Sequence, residues 1–135
     1  MKKTLLLFSF LIATASYSIH AQNVNIPDFN FKNYLLNNTA INTNSDSEIS
    51  VAEAQAFTGT ISATSLGITD LTGIEAFVNI TTLEVYSNIL TSLDVSNNTS
   101  LTRLHCANNQ ITTIDVSNIP TLNQIHCQNK DSQIK

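Results

Sequence analysis

Residues 90–110, LTSLDVSNNTSLTRLHCANNQ, are followed without a gap by residues 111–131, ITTIDVSNIPTLNQIHCQNKD, and this repetition decides the fold. A self-similar unit of this size is one turn of a solenoid, because it cannot bury its apolar face alone and must stack on its neighbours. Within the unit, Leu101, Leu104, Cys106, Asn109 and Ile111 follow the spacing L-x-x-L-x-C-x-x-N-x-I. Ile80, Leu83, Val85, Asn88 and Leu90 repeat it one turn earlier. Apolar residues alternate with polar ones around Leu104, which predicts a short strand with one face inward. Working outward, strands are expected to begin at Ile61, Leu83, Leu104 and Ile125, separated by 22, 21 and 21 residues, and to stack in parallel.

These residues at these spacings resemble the leucine-rich repeat, L-x-x-L-x-L/C-x-x-N-x-L. The resemblance implies an α/β repeat solenoid whose short strands line a concave sheet. Asn88 and Asn109 hold the asparagine position, where a buried amide satisfies the backbone of the turn leaving the strand. Leu66 and Lys130 stand there in the first and last turns, which marks those turns as terminal. The return arm between the first two strands should turn Leu71, Ile74, Phe77 and Ile80 inward. The later, shorter returns carry Asp94 and Asp115 at matching places, with Val95 and Val116 lining the convex side of the core.

Ahead of the repeats, Asp28 is placed to cap a helix carrying Phe31, Tyr34, Leu35 and Leu36, and a second helix is expected over residues 51–57. The first turn of a solenoid leaves an apolar edge that such a segment covers. Two short helices in this place resemble the N-terminal cap of internalin-like bacterial surface proteins, which is similar to an EF-hand. The fold class is therefore four parallel strands behind a two-helix cap, with residues 1–21 a signal peptide, 22–59 the cap, and 60–135 about four turns, the last incomplete.

In the segment linking the helices, Asn42, Asn44, Asp46, Glu48, Ser50 and Glu53 fall at positions 1, 3, 5, 7, 9 and 12 of an EF-hand loop. A weak calcium site is one reading. Asn42 replaces the expected aspartate and Ser47 the glycine of the sharp turn, and both changes lower cation affinity. The other reading is a capping box, with Ser50 and Glu53 closing the start of the second helix. No further cofactor is expected.

Composition narrows the partners. The net charge is −4 with 12% charged residues, and no run of basic residues could neutralise a nucleic-acid backbone. The start, MKKTLLLFSFLIATASYSIHAQN, has two lysines, an apolar run and small residues, as an exported chain has before cleavage after Ala21 or Ser18. That apolar run is too short for a permanent span, so no membrane span is expected after cleavage. Removal of Lys2 and Lys3 would take the charge from −4 to −6. A secreted or cell-surface location follows.

Cys106 and Cys127 are one period apart and occupy the same position of neighbouring turns. Regular parallel strands set equivalent side chains about 4.8 Å apart, somewhat wide for a bridge. Ala63 and Val85 fill the same position earlier, so two buried free thiols packing as small hydrophobes are expected in preference to a disulfide.

Residues between the core positions must face out of the concave sheet. Stacked turn on turn, they place Glu84, Tyr86, Arg103, His105, Gln124, His126 and Gln128 on one polar patch with mixed charge and an aromatic ring. Such a patch suits a protein or glycan ligand. Two stacked histidines with a carboxylate one turn away could hold zinc, but a flat solvated sheet gives little convergence. No nucleophile elbow, phosphate-cradling glycine loop or acid–base pair is present, so no enzyme is expected. The resemblance implies an exported adhesion or interaction module with a macromolecular partner, a protein in preference. The alternative is the first part of a longer cell-surface protein, with a display role. One period after Ile111 and Ile114 stand Ser132 and Lys135, so the fourth turn is expected to lack its return arm and to fray or self-associate over residues 122–135.

Overall fold

The computed structural model describes residues 22–128 and the backbone of residues 133 and 134. The signal peptide expected over residues 1–21, and Lys130 at the asparagine position of the last turn, lie outside the described residues. The cap comes first. Helix α1, Phe29–Leu36, starts where Asp28 accepts a hydrogen bond from the Phe31 amide on its side chain. Helix α2, Val51–Ala56, opens on the expected capping box, in which Ser50 and Glu53 each accept from the other's backbone N–H. An isolated antiparallel bridge between Asn23 and Ser50 ties the leading segment to the start of α2.

The strands follow as the spacing requires. β1 (Thr60–Ser62), β2 (Thr82–Glu84), β3 (Arg103–His105), the short β4 (Thr113–Ile114) and β5 (Gln124–His126) come in order, with a 3-10 turn at Ile74–Ala76 in the first return arm. β1, β2, β3 and β5 form one parallel sheet in that order, with Ile61, Leu83, Leu104 and Ile125 in register. Each strand begins one residue before the apolar position that predicted it.

One continuous core runs from Val24 to Cys127. Ile61, Leu83 and Leu104 from the strands meet Phe77, Ile80, Val95 and Leu101 from the return arms, all fully buried. Val116, at the position of Val95 one turn on, is only partly buried. The asparagine ladder does what its place in the repeat predicts. Asn88 donates to the carbonyls of Ala63 and Val85 and accepts from the Leu66 and Ile68 amides. Asn109 repeats this one turn later, donating to Val85 and Cys106 and accepting from Leu90. The turns leaving β1, β2 and β3 also each carry a residue with left-handed backbone: Ser65, Ser87 and Asn108, at φ 57°, 57° and 55°. A further amide, Asn98, is fully buried between the arms and donates to Ile74 and Phe77, a role the repeat pattern did not assign.

The cap is fitted to the first turn at several points. The Tyr34 hydroxyl accepts the outward Ser62 N–H at 2.8 Å, and Asp28 accepts from the Thr69 amide and hydroxyl. Gly73, at φ 106°, lies so close to the leading segment that a Cβ there would meet Ile26 at 2.7 Å and the Asn25 carbonyl at 2.9 Å.

Two expectations are corrected. Cys106 and Cys127 form a disulfide and are not free thiols. They lie one residue beyond β3 and β5, where the chain has begun to turn, and their Cα atoms are 4.5 Å apart, within the range a bridge takes. The spacing of regular strand interiors was the wrong measure for that place. The fourth turn also begins a return arm: β6, Gln133–Ile134, pairs in parallel with β4, setting Ile134 beside Ile114. The step there is 20 residues (134 less 114), so counting a full period of 21 placed the arm one residue too late. Cys127 is buried, and Leu122 and Ile125 are partly covered, so this end is less open than the repeat count implied.

Candidate ligand-binding face

The concave face is a consequence of register. Because Thr82 pairs with Arg103 and Arg103 with Gln124, and Glu84 with His105 and His105 with His126, every residue flanking a buried strand centre is stacked on its equivalents. β2 and β3 each show the pattern of a buried centre between two partly exposed neighbours. All seven residues predicted for the face are exposed or partly exposed, and the structure joins five of them by direct contacts.

Two chains of contact cross the strands. In the first, Ser62 Oγ donates to Glu84 Oε2 at 2.9 Å, and Glu84 Oε1 meets Arg103 Nη2 at 3.3 Å. The carboxylate is therefore engaged on both oxygens, and its side chain is only 21% exposed against 42% for Arg103. In the second, the Tyr86 ring stacks on His105 with centroids 4.4 Å apart, and His105 leans on His126 at 5.5 Å. Ala107, one period after Tyr86, offers no large side chain to compete for the space beside His105. Burial, and then the neighbouring charge of His126, hold the His105 imidazole below its ordinary pKa; Glu84 pulls the other way and Arg103 adds to the lowering. Gln124 and Gln128 stand exposed beyond this aromatic row. Among the described residues no three His, Cys, Asp or Glu side chains converge as a metal ion needs.

Tyr34 meets the edge of this sheet by accepting the Ser62 amide, whereas its spacing in the sequence points only to an apolar role in the helix. A tyrosine in an amphipathic helix signals that its hydroxyl will find a partner, but not which one.

The cap loop gathers its candidate ligands in a different way. Asn42 is buried and donates its amide to the carbonyls of Leu36 and Asp46. Asn44 and Asp46 bond to each other, and Asp46 also accepts the Glu48 amide. Glu48 pairs with Lys32 of α1 at 2.8 Å. Glu53 accepts from the Thr43 and Ser50 amides and from both hydroxyls, which holds its pKa low even though burial alone would raise it.

No protein-family model matches the chain, and no curated protein matches it. Among solved structures it is similar to the functional domain of InlJ from Listeria monocytogenes, which includes a cysteine ladder. The TM-score is 0.62 at 26% identity, over 85% of this chain and 26% of that one. It is also similar to the internalin InlF of the same organism, with a TM-score of 0.65 at 22% identity over 82% of this chain and 32% of that one. Internalin C2, again from Listeria monocytogenes, superposes with a TM-score of 0.60 at 23% identity, over 85% and 62%. The chain thus spans about a quarter to a third of InlJ and InlF. Among its own described residues, no helix is long and apolar enough to cross a membrane.

Proposed function

We propose that this internalin-like leucine-rich repeat protein is an exported binding module. It would recognise a macromolecular partner, a protein in preference to a glycan, through Glu84, Tyr86, Arg103, His105, Gln124, His126 and Gln128. The observation that carries the reading is the contact chain across the concave strands, which holds a tyrosine, two histidines and an ion pair in one fixed, partly exposed array. Aromatic and arginine side chains held rigid at a surface are the groups that dominate protein interfaces. The chemistry is recognition without catalysis, at the cell surface or outside the cell. In a pull-down from the surface fraction of candidate target cells, Tyr86→Ala with Arg103→Ala should abolish capture while leaving the melting temperature within a few degrees. A double variant that captures at full strength would move the binding surface elsewhere.

A second reading, that this chain is the capped start of a longer surface array whose later part binds, draws on the small share of InlJ and InlF that it spans. Capture by the isolated chain would count against it.

For the cap loop, the reading the hydrogen bonds favour is closure without a cation. Amide donors already occupy both Glu53 oxygens, and Asn42 points its amide nitrogen at the loop carbonyls. Millimolar calcium should leave the unfolding temperature of the wild type unchanged. A rise that Glu53→Gln removes would restore the calcium site of Asn42, Asn44, Asp46, Glu48 and Glu53.

A further inference from the structure

The charges of the molecule are sorted by face. Among the described residues the fixed cations are Lys32, held by Glu48 in the cap, and Arg103 in the middle of the concave sheet. Both described histidines lie on the same sheet, His105 two residues after Arg103 on β3 and His126 in register with His105 one turn on. The acids of the repeats lie elsewhere, Glu84 excepted. Asp70, Glu75 and Asp94 line a groove of about 380 Å³ along the return arms, and Asp115 continues it into the next turn. Glu84 is half-hidden and its two oxygens are taken by Ser62 and Arg103, so it withdraws from the face the one negative charge there. Among the described residues, the one fixed cation outside the cap and both histidines thus lie together on the concave side.

We propose that the concave face is shaped for an acidic peptide segment of its partner, with Arg103 as the permanent anchor, His105 as an anchor that engages on protonation, and His126 beside it. This rests on the concave face being the binding surface. Arg103 has one guanidinium nitrogen on Glu84 and its Nε buried, and with 42% of its side chain exposed it can turn its terminal nitrogens to a second carboxylate. His105 faces Tyr86 and Glu84 from β2 and its exit, Arg103 on its own strand, and His126 from β5. In the free protein its burial, and its neighbours His126 and Arg103, discourage a positive charge on His105, and Glu84 offsets this only in part. An incoming carboxylate supplies the missing counter-charge, so the bound state takes up protons that the free state does not. Binding then tightens as the pH falls, because the state that binds more protons gains on acidification.

The test is selection of random phage-displayed peptides on the mature protein at about pH 5.5 and at about pH 7.5, followed by NMR mapping and affinity measurement of the recovered peptides. The expected peptides are rich in Asp and Glu, shift the amides of Arg103, His105 and His126, and bind at least about fivefold tighter at the lower pH. Arg103→Ala should weaken them at both pH values. His105→Gln with His126→Gln should abolish the pH dependence, with an unchanged urea midpoint showing that the fold is kept. Peptides that map to the same amides but carry no excess of acidic residues, or whose affinity ignores pH, overturn the acidic-segment inference and leave the face as the binding surface. Peptides that map to the return arms or the cap overturn the face itself.

Discussion

The first and last described strands of the parallel sheet are held in place by different chemistry. At the N-terminal end, α1 brings fully buried Phe31 and Leu35 onto the first turn, and Ile61 at the centre of β1 is fully buried too. The outward amide of Ser62 is taken by the Tyr34 hydroxyl, and Asp28 reaches across to Thr69. At the other end, the centre of β5, Ile125, is only partly buried, and Gln124 and His126 on either side are exposed. Besides its pairing with β3, β5 is held there by the bond between Cys127 and Cys106 of the previous turn. A strand can be covered by a docked helix that satisfies its edge, or tied back to its neighbour by a cross-link. Among the described strands, β1 shows the first arrangement and β5 the second.

Breaking the tie should have the largest effect. Replacing Cys106 and Cys127 by alanine, or reducing the bridge, removes a cross-link between residues 21 positions apart. For a loop of that size the loss is about 3 kcal/mol of unfolding free energy. The damage should be local before it is global: amide exchange at Ile125 should speed up severalfold while Ile61 keeps its protection. Equal acceleration at both ends would show that the array unfolds as one unit and that the contrast drawn between its ends has no energetic content.

Most of this architecture is legible in the sequence, and what escaped has physical causes. The period fixes the strand register, since Ile61, Leu83, Leu104 and Ile125 can share a core only if each turn closes at 22, 21 and 21 residues. It also fixes which residues lie on the concave face, because alternation along a strand leaves no choice of side. The disulfide was not legible, because whether two stacked cysteines meet depends on how the chain bends as it leaves the strands. The β4–β6 pairing escaped because the last step is a residue shorter than the period. Asn98 escaped because its equivalents one period away, Phe77 and Ile119, are apolar, and a polar residue in an apolar column betrays no partner in sequence. The stacking of Tyr86 on His105 was beyond reach for a related reason. The repeat sets the two in different rows, and only side-chain rotamers bring them together.

Acid should sharpen the comparison between the ends. Asp28 would be raised in pKa by burial alone, but hydrogen bonds from Phe31, Thr69 and Asp70 outweigh that and hold it below its ordinary value. A carboxylate lowered on folding contributes stability that is present above its unfolded-state pKa and is lost as the pH falls through the folded one. Asp28→Asn keeps an oxygen for the helix cap, so the variant isolates the charge. It should cost about 1 kcal/mol at neutral pH, and the gap to wild type should close as the pH drops below about 4. Asp94 is also lowered, chiefly by the Ser96 amide, but burial and Asp115 pull against that, and its bonds stay within its own turn. Asp94→Asn should therefore cost less than Asp28→Asn, as read from melting temperature against pH. The reverse order would mean that the link from cap to first turn contributes little.

The smallest expected effect lies in the column of left-handed residues that the turns share. A residue with a Cβ is disfavoured at φ near 57°, and asparagine tolerates that conformation better than serine because its short amide can bond to the local backbone. Asn108 holds the position in the third turn, beside the less covered end, whereas Ser65 and Ser87 hold it nearer the cap. The first turn keeps its shape without the favourable residue because Asn88 clamps both Leu66 and Ile68, and the cap lies against Gly67 through Asn30. Ser65 is exposed, so a larger side chain meets no core there. Ser65→Asn should stabilise the protein by about 0.5 kcal/mol, and Asn108→Ser should cost about the same or slightly more. Urea midpoints are sensitive enough to rank the pair. If Asn108→Ser costs no more than the gain from Ser65→Asn, the turns are equally braced along the array and the cap's influence stops at the first strand. A clearly larger loss at Asn108 would mean that the turn next to the disulfide depends on its own residue where the capped turns lean on their neighbours.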